Sequence, residues 1–563
     1  MLPYQYHILE HHDSIRVVVL HPSSHISDPL VCTIRHVRLS DASLKYEALS
    51  YTWGDATHQK AIHFNDGSIE LRIGTNCHNA LQHLRQKDHD RVLWVDAISI
   101  DQKNLTERAS QVRIMDKIFR SASGVTVYLG EETAGSHTLF KELAEVDLAQ
   151  DGYGGPPPND TTIRELEILF QRSWFQRVWV LQEVSMNDSV TFMCGSAGAS
   201  SNAVYVCVFG HFDTRLTKNF QPLALYLVYR PPQRFSTPQF NLWHLVFESR
   251  MCSATDPRDR VFALRSLIGP GQTEMDSLIN YLKSVEEIFI EVAMFLLPVI
   301  GLRILTAVRH PHEKMDMPSW IPDWSQNLPL SAVFFFDESC EPGSIQYLPT
   351  RKPLNEHQIR RVLDRENNPH FELPVKGCRY AEVVYKSEMF SFANSDDAEV
   401  QMKKLYNSFD SLRVLADLED IEDSCTMYEQ LGQEIVDAMS LFDGGVLQAY
   451  LVREAHRLFK TYSDVELVHH FFNSLQLCRV ILMDNGELAI VGRSVHEGDV
   501  VCVFSGADSP CALRSNENGT WTLVSGDCFI FTESFKPYMS AGEFMCDDYV
   551  AHHQDRLEEF KLR

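Results

Sequence analysis

Apolar and polar positions along the first third of the chain predict alternating strands and helices. Residues 92–95 are continuously apolar, which is typical of a strand buried on both faces. Residues 48–52 and 125–129 are predicted to be two further strands, and residues 76–85 have the spacing of a helix with one apolar side. Strands that alternate with helical crossovers imply a small, open, parallel α/β sheet.

A further helix is predicted shortly after the strand at 92–95. Asn104 is suited to be its N-cap, and Glu107 follows three residues later, which is the spacing of a capping box. The buried stripe of this helix is expected to consist of Val112, Met115, Ile118 and Phe119. After the strand at 125–129, a helix with Trp174, Val178 and Leu181 on its core side is predicted to begin at Ser173.

Alternating patterns predict β-structure at both ends of the chain. Residues 14–22 and 30–40 are expected to form a hairpin that leads into the α/β sheet, and Asn-Asp-Gly at 65–67 predicts another hairpin. From residue 479 onward, short strands separated by turn residues are typical of a small barrel or sandwich. Residues 200–300 are expected to be mostly helical.

These changes of pattern divide the chain into five segments. They are N-terminal strands at 1–45, an α/β domain at 46–200, a helical extension at 201–330, a mixed helical and acidic connector at 331–475 and a β-rich module at 476–563. A Gly- and Pro-rich stretch at 150–160 has the composition of a loop or lid, and residues 410–434 are expected to be a solvated acidic face.

Composition narrows the classes of function. A formal net charge of -25 argues against a general nucleic-acid binder, because the phosphate backbone attracts basic residues. The 13 cysteines are scattered without a CxxC pair, which suits reduced thiols and a cytoplasmic protein. No HExxH or paired CxxC supports a metal site, and no P-loop or GxSxG sequence is present. The longest apolar run, 292–302, is too short to span a bilayer, so no membrane span is expected.

Four separated blocks of sequence carry a family resemblance. They read ALSYTWG at 48–54, LWVDAISIDQKN at 93–104 with Glu-Arg shortly after it, VYLG at 127–130 and WFQRVWVLQE at 174–183. In this order they resemble the heterokaryon incompatibility (HET) domain of filamentous fungi. Ser99 is a departure, because the family usually has cysteine there. The resemblance implies a role in nonself recognition and programmed cell death.

The HET domain is in turn similar to the TIR domain, whose fold is a flavodoxin-like open sheet. This resemblance implies a TIR/flavodoxin-like α/β fold for the N-terminal half, ahead of the helical middle and the β-rich module. On the TIR pattern, the first three blocks correspond to the first three strands, and the fourth block corresponds to the helix after the third strand. Many enzymatic TIR domains have a catalytic glutamate on that helix and cleave the nicotinamide glycosidic bond of NAD, so Glu183 is the implied catalytic residue.

The same comparison implies a substrate site at the carboxyl ends of the strands. The residues expected to bind NAD there are Tyr51, Trp53, Asp96, Asp101, Arg108 and Arg177. The two aromatic rings would stack on the nicotinamide, the two aspartates would line the same edge, and an arginine would meet the pyrophosphate. NAD would be a substrate, and no permanently bound cofactor is expected.

The sequence leaves the mechanism open between two classes. In the first, the domain is a latent NAD glycohydrolase that is activated by oligomerisation or by a partner. In the second, it is a non-enzymatic signalling module that acts by self-association and recruitment, so a protein partner or self-association is expected in both. Structural roles compete with the assigned ones, since a helical glutamate such as Glu183 is often ion-paired, Trp53 can be core, and Asp101 can be a turn residue.

Overall fold

The fold is known from a computed structural model of the protein. It describes residues 2–55, 57–64, 67–148, 159–209, 237–269, 272–308, 316–326, 360–363, 369–390, 477–531, 539–540, 543–544 and 546–563. The chain divides into two compact units, Met1–Ser284 and Val285–Arg563. The class is mixed α/β with several sheets, as the sequence predicts.

A seven-stranded sheet organises the first unit. The strands of this unit are β1 (Leu2–Pro3), β2 (Ser14–Leu20), β3 (Cys32–Arg38), β4 (Glu47–Tyr51), β5 (Gln59–Phe64), β6 (Ile69–Gly74), β7 (Arg91–Trp94), β8 (Val125–Tyr128), β9 (Val190–Cys194) and β10 (Ala197–Ser200). The large sheet has the order β10-β9-β8-β4-β7-β2-β3, and β1-β6-β5 form a separate small sheet. The four central strands, β9, β8, β4 and β7, are parallel. Strands β10 and β2 are antiparallel to them, and β3 is antiparallel to β2.

Helices connect these strands. They are α1 (Thr75–Leu84), α2 (Asp96–Ser99), α3 (Leu105–Arg113), α4 (Met115–Ser121), α5 (Ala134–Leu148), α6 (Asp160–Phe170), α7 (Trp179–Ser185), α8 (Ser201–Phe209), α9 (Pro238–Glu248) and α10 (Asp259–Phe262). A short 3-10 turn, Ser173–Gln176, precedes α7, where the sequence predicts a helix that begins at Ser173. The core residues expected on its inner side, Trp174, Val178 and Leu181, are all buried.

The two faces of the sheet are covered by different connections. Leu93 of β7 and Tyr51 of β4 lie in one apolar cluster with Leu81 of α1. Trp94 follows Leu93, so its side chain points to the opposite face, where it contacts the ring of Phe119 in α4. The connection after β4 therefore covers one face, and the helix between β7 and β8 covers the other.

The start of α3 confirms one half of the predicted capping box. The side chain of Asn104 accepts a hydrogen bond from the Glu107 backbone at 3.1 Å. The Glu107 carboxylate does not return to the Asn104 backbone, because it accepts from Arg16 at 2.5 and 3.0 Å and from the Asp101 backbone at 2.8 Å. A buried cation is a stronger partner for the carboxylate than an amide, and Asn104 N donates instead to the Asp101 carbonyl at 3.0 Å, so the reciprocal half of the prediction is wrong.

The second unit is built mainly from strands. They are β11 (Arg360–Leu363), β12 (Pro369–Lys386), β13 (Cys478–Met483), β14 (Leu488–Gly492), β15 (Val500–Phe504), β16 (Cys511–Ser515), β17 (Trp521–Ser525), β18 (Phe529–Phe531), β19 (Met539–Ser540), β20 (Glu543–Phe544) and β21 (Glu558–Leu562), with helices α11 (Val285–Ile300) and α12 (Cys546–His552). Strands β15, β16, β17, β21 and β12 pair in a closed ring. The long strand β12 lies in the segment that the sequence predicts to be a connector.

Two predicted segments lie wholly or largely outside the residues that the structure describes. The acidic stretch at 410–434 and most of the loop at 150–160 lie outside the described residues. Within the described part of the chain, one helical stretch, Val285–Ala307, is long and apolar enough to cross a membrane. Because 67% of an 18-residue apolar window in this stretch is buried inside the protein, it has the environment of a core helix. The same part of the chain has no group of three or more His, Cys, Asp or Glu that could hold a metal ion.

Candidate active site

Glu183 is a buried carboxyl group against the carboxyl end of β4. Its side chain is carried inward by α7, whose neighbouring residues Val180 and Val184 are in the core, and it is only 3% exposed. Oε2 accepts a hydrogen bond from the Ser50 hydroxyl, and Ser50 Oγ accepts one from Trp174 Nε1 at 2.8 Å. Glu183 therefore has a fixed position.

Its surroundings change its acidity. Burial raises the pKa of Glu183 from its ordinary value of 4.5 to about 7, because the ionised form loses its hydration. The positive charge of Arg177 and the hydrogen bond from Ser50 oppose this shift, while the negative charge of Asp96 adds to it. A carboxyl group with this pKa changes its protonation state near neutral pH, as a catalytic acid or base does.

Arg177 connects Glu183 to the second carboxyl group of the site. Its guanidinium donates a hydrogen bond to the carbonyl oxygen of Tyr51, and its charge acts on both Glu183 and Asp96. The main chain at Arg177 forms a parallel bridge to Ser253, and Val178 N donates to Ser253 O at 3.0 Å. The guanidinium is therefore held over the end of β4.

Asp96 and Trp53 form the outer part of the site, where Trp53 is exposed and Asp96 is partly buried. Asp96 opens α2 directly after β7, and its carboxylate accepts from Trp53 Nε1 at 2.6 Å and from Ala97 N at 2.7 Å. Burial raises the pKa of Asp96, while the charge of Arg177 and the hydrogen bond from Trp53 act against that rise. Trp53 is 43% exposed, so its ring has a fixed orientation and an accessible surface suited to stacking.

Tyr51 lies on the other face of the sheet from Glu183. Successive strand residues point to opposite faces, so Ser50 faces Glu183 while Tyr51 faces α1. The Tyr51 ring is 2% exposed and packs near Cys77. The side chain of Tyr51 is a hydrogen-bond partner of Asp96 and its backbone carbonyl accepts from Arg177, while stacking on nicotinamide stays a prediction.

Asp101 and Arg108 have partners elsewhere. The Asp101 carboxylate accepts from Lys103 N at 3.1 Å, which is the turn interaction that competes with a binding role. The Arg108 guanidinium lies 3.8 Å from the centre of the Tyr281 ring and donates to Asp259 at 3.4 Å. Neither side chain has a hydrogen bond to Asp96 or Glu183 within the described residues, and their assignment to NAD stays a prediction.

Ser50 is a site residue that the sequence prediction did not single out. It lies in a strand whose residues from Ala48 onward are all buried. A buried hydroxyl needs a hydrogen-bond partner. A serine in a strand that is predicted to be buried therefore indicates that a polar side chain packs against it. Ser99, where the family usually has cysteine, is also buried, and its hydroxyl accepts from Val95 N at 3.2 Å while its carbonyl accepts from Arg16 at 2.9 Å.

Gly54 allows the turn that presents Trp53. Its φ is +75°, and a Cβ there would lie 2.9 Å from Asn76 Nδ2. We expect Gly54→Ala to lower the free energy of unfolding by about 1 to 2 kcal/mol, through strained backbone and displacement of Asn76. Gly67→Ala is the matched control, because Gly67 has a φ of +88° with nothing within 4 Å. Urea unfolding that gives equal losses for both variants would contradict the role of Asn76.

Comparison with known proteins defines the class of the first unit. Residues 46–183, which contain every strand of the site, match the family model of the heterokaryon incompatibility protein (HET). The first unit thus contains a segment that is similar to the HET domain. No solved structure matches the chain.

Two relatives from filamentous fungi bear incompatibility names. The chain is 27% identical over 392 residues to heterokaryon incompatibility protein 6, OR allele, of Neurospora crassa, which covers 55% of this chain and 58% of that protein. It is 28% identical over 149 residues to vegetative incompatibility protein HET-E-1 of Podospora anserina, over 26% of this chain and 9% of that protein. The chain spans less than two thirds of either relative. Together the matches show that this chain is similar to fungal incompatibility proteins.

Proposed function

We propose that this protein acts in fungal nonself recognition and programmed cell death, and that its HET domain is a TIR/flavodoxin-like NAD glycohydrolase. The parallel strands have the spatial order β7-β4-β8-β9, so the second strand along the chain is beside the first, followed by the third and fourth. Flavodoxin-like sheets have this order, which supports the proposed fold. The observation that carries the activity is the buried Glu183, with Arg177 and Asp96 close enough to affect its pKa.

The proposed chemistry uses a carboxylate without a strong general acid. Loss of nicotinamide from NAD leaves a ribosyl cation, and nicotinamide leaves as a neutral group because it is cationic in NAD. Ionised Glu183 stabilises the cation while water supplies the oxygen of the new C–O bond and loses one proton to the solvent. Trp53 supplies a stacking surface and Arg177 a charge for the pyrophosphate. Access of NAD to Glu183 requires a movement around Ser50, which fits a latent enzyme that a partner or self-association activates.

The direct test is NAD consumption by clustered protein. We expect Glu183→Gln to lower the rate at least about tenfold, because the neutral amide cannot stabilise the cation. We also expect the wild-type rate to rise from about pH 6 to about pH 8, since the ionised carboxyl is the active form. Glu132→Gln is the control, because that glutamate is on the surface and pairs with His137. Equal NAD loss in wild type and Glu183→Gln would refute the catalytic assignment.

A specific observation favours the second candidate, a non-enzymatic module that acts by self-association. Glu183 is 3% exposed and hydrogen-bonded to Ser50, which is also what a purely structural buried carboxyl would show. On this alternative, Glu183→Gln leaves cell death intact while NAD stays unconsumed. Cell death that persists in that variant with constant NAD would select the scaffold function.

The remaining parts of the proposal concern location and partners. The cysteines in the described part of the chain are free and buried, which supports a reducing compartment such as the cytoplasm. The net charge of -25 supports protein partners, or a second copy, over nucleic acid. The trigger for activation is proposed to be such a protein contact.

A further inference from the structure

A second polar cluster lies at the carboxyl end of β8, apart from Glu183. Glu131 follows β8 by three residues, and its side chain is 57% exposed. Its carboxylate accepts from the Tyr128 hydroxyl at 2.9 Å and pairs with His83 Nε2 at 3.1 Å. The side chain of Asn79 is also a hydrogen-bond partner of Glu131. A carboxylate that is this exposed and yet held by three donors is fixed in direction.

The donors lie along one edge of α1. Asn76, Asn79 and His83 are spaced by three and then four residues, so they share a stripe of the helix. Asn76 donates to the Thr52 carbonyl at 3.1 Å, directly before Trp53, and the other two contact Glu131. This polar stripe therefore runs from the end of β4 to the end of β8. Nδ1 of His83 is buried without a hydrogen-bond partner.

The position in the sheet makes this edge suitable for a ligand. Tyr51 of β4 and Tyr128 of β8 are direct register partners in adjacent parallel strands. The connection after β4 packs α1 on one face, while Trp174, after β8, packs against Ser50 on the other. Where successive connections leave on opposite faces, the carboxyl ends of the two strands separate and form a crevice for ligands.

We propose that Glu131, oriented by Asn79 and His83, binds the cis-diol of the adenosine ribose in NAD. The inference rests on the proposed function for the choice of nucleotide. A carboxylate with open lone pairs accepts hydrogen bonds from both ribose hydroxyls, which is how an acidic residue binds the ribose in other dinucleotide folds. Trp53 lies at the other end of the stripe, where nicotinamide is proposed to stack. One NAD molecule would therefore lie along the edge of α1, with Glu131 at its adenosine ribose and Glu183 at its reacting end.

The test is nucleotide binding, measured without turnover. Titration of the full chain with ADP by calorimetry or NMR is expected to show binding that Glu131→Gln weakens at least about tenfold, because the amide replaces a charged acceptor. 2′-Deoxy-ADP should bind wild type as weakly as ADP binds the variant, and Glu131→Gln should not discriminate the two nucleotides. Glu132→Gln, the neighbouring surface glutamate, should match wild type. An unchanged circular dichroism spectrum controls for folding.

The outcomes separate this inference from the proposed function. ADP binding that depends on Glu131, in a protein that never consumes NAD, would sustain the ribose site and refute the enzyme. NAD consumption with an unchanged KM in Glu131→Gln would support the enzyme and refute the ribose site. Absence of ADP binding to wild type at millimolar concentration, or equal binding of ADP and 2′-deoxy-ADP, would overturn the ribose site.

Discussion

Arg16→Met is expected to lower the free energy of unfolding of the first unit by about 3 to 5 kcal/mol, because it leaves a partly buried carboxylate without its cation. The Arg16 side chain is fully buried and donates to both oxygens of Glu107, to Ser99 O at 2.9 Å and to His7 O at 2.6 Å. These bonds hold the segment between β7 and α3, which includes α2 and the position of Asp96. Urea unfolding of the full chain measures the loss.

Arg38→Met is the matched control for this prediction. Arg38 is on the neighbouring strand β3, and its pair with Asp13 is half-exposed, so its loss should cost no more than about 1 kcal/mol. The double variant Arg16→Met with Glu107→Gln should recover part of the stability, since no unpaired charge is then left behind. Losses that simply add in the double variant would show that the two side chains are not coupled.

The second large effect is a pH dependence of stability that belongs to Glu183. The pKa of its carboxyl is 4.5 ordinarily and about 7 in the folded protein. Between these values the folded state binds more protons than the unfolded state, so stability falls as pH rises, by about 3 kcal/mol in all. Glu183→Gln cannot titrate. We therefore expect its stability relative to wild type to rise by up to that amount from about pH 4 to about pH 8.

Ser50→Ala is a control that should extend the pH dependence of stability, whereas Glu183→Gln should remove it. The hydrogen bond from Ser50 lowers the pKa of Glu183, so its loss should raise that pKa further and extend the pH dependence to higher pH. Unfolding midpoints in urea across the pH series measure both variants. A wild-type stability curve that coincides in shape with that of Glu183→Gln would mean that the carboxyl ionises at the same pH in both states.

Local patterns were enough to predict the elements that carry the site. The apolar run at 92–95 and the Asn104 cap depend on neighbouring residues alone, and both are present at β7 and α3. The burial of Trp174 also followed from helical spacing. These features depend on interactions within one or two turns of chain, which a sequence pattern contains.

Long-range partners could not be predicted in this way. Arg16 is 91 residues from Glu107, and nothing in the spacing of either residue indicated that the ion pair would replace the second half of the capping box. Glu183 and Ser50, 133 residues apart, depend on how β4 and α7 pack. Successive side chains of a strand point to opposite faces, so the sequence alone places Ser50 and Tyr51 on different faces of the sheet. A residue that contacts Ser50, as Glu183 does, therefore lies on the other face from Tyr51.

Three main-chain pairings, one each at β7, β8 and Arg177, determine how this protein can be divided for expression. The outer edge of β7 pairs with β2, the outer edge of β8 with β9, and the chain at Arg177 with Ser253, all beyond the block at 46–183. A fragment trimmed to that block would have two bare strand edges, which recruit other chains and aggregate. An autonomously folding piece therefore begins before β2 and continues past Ser253.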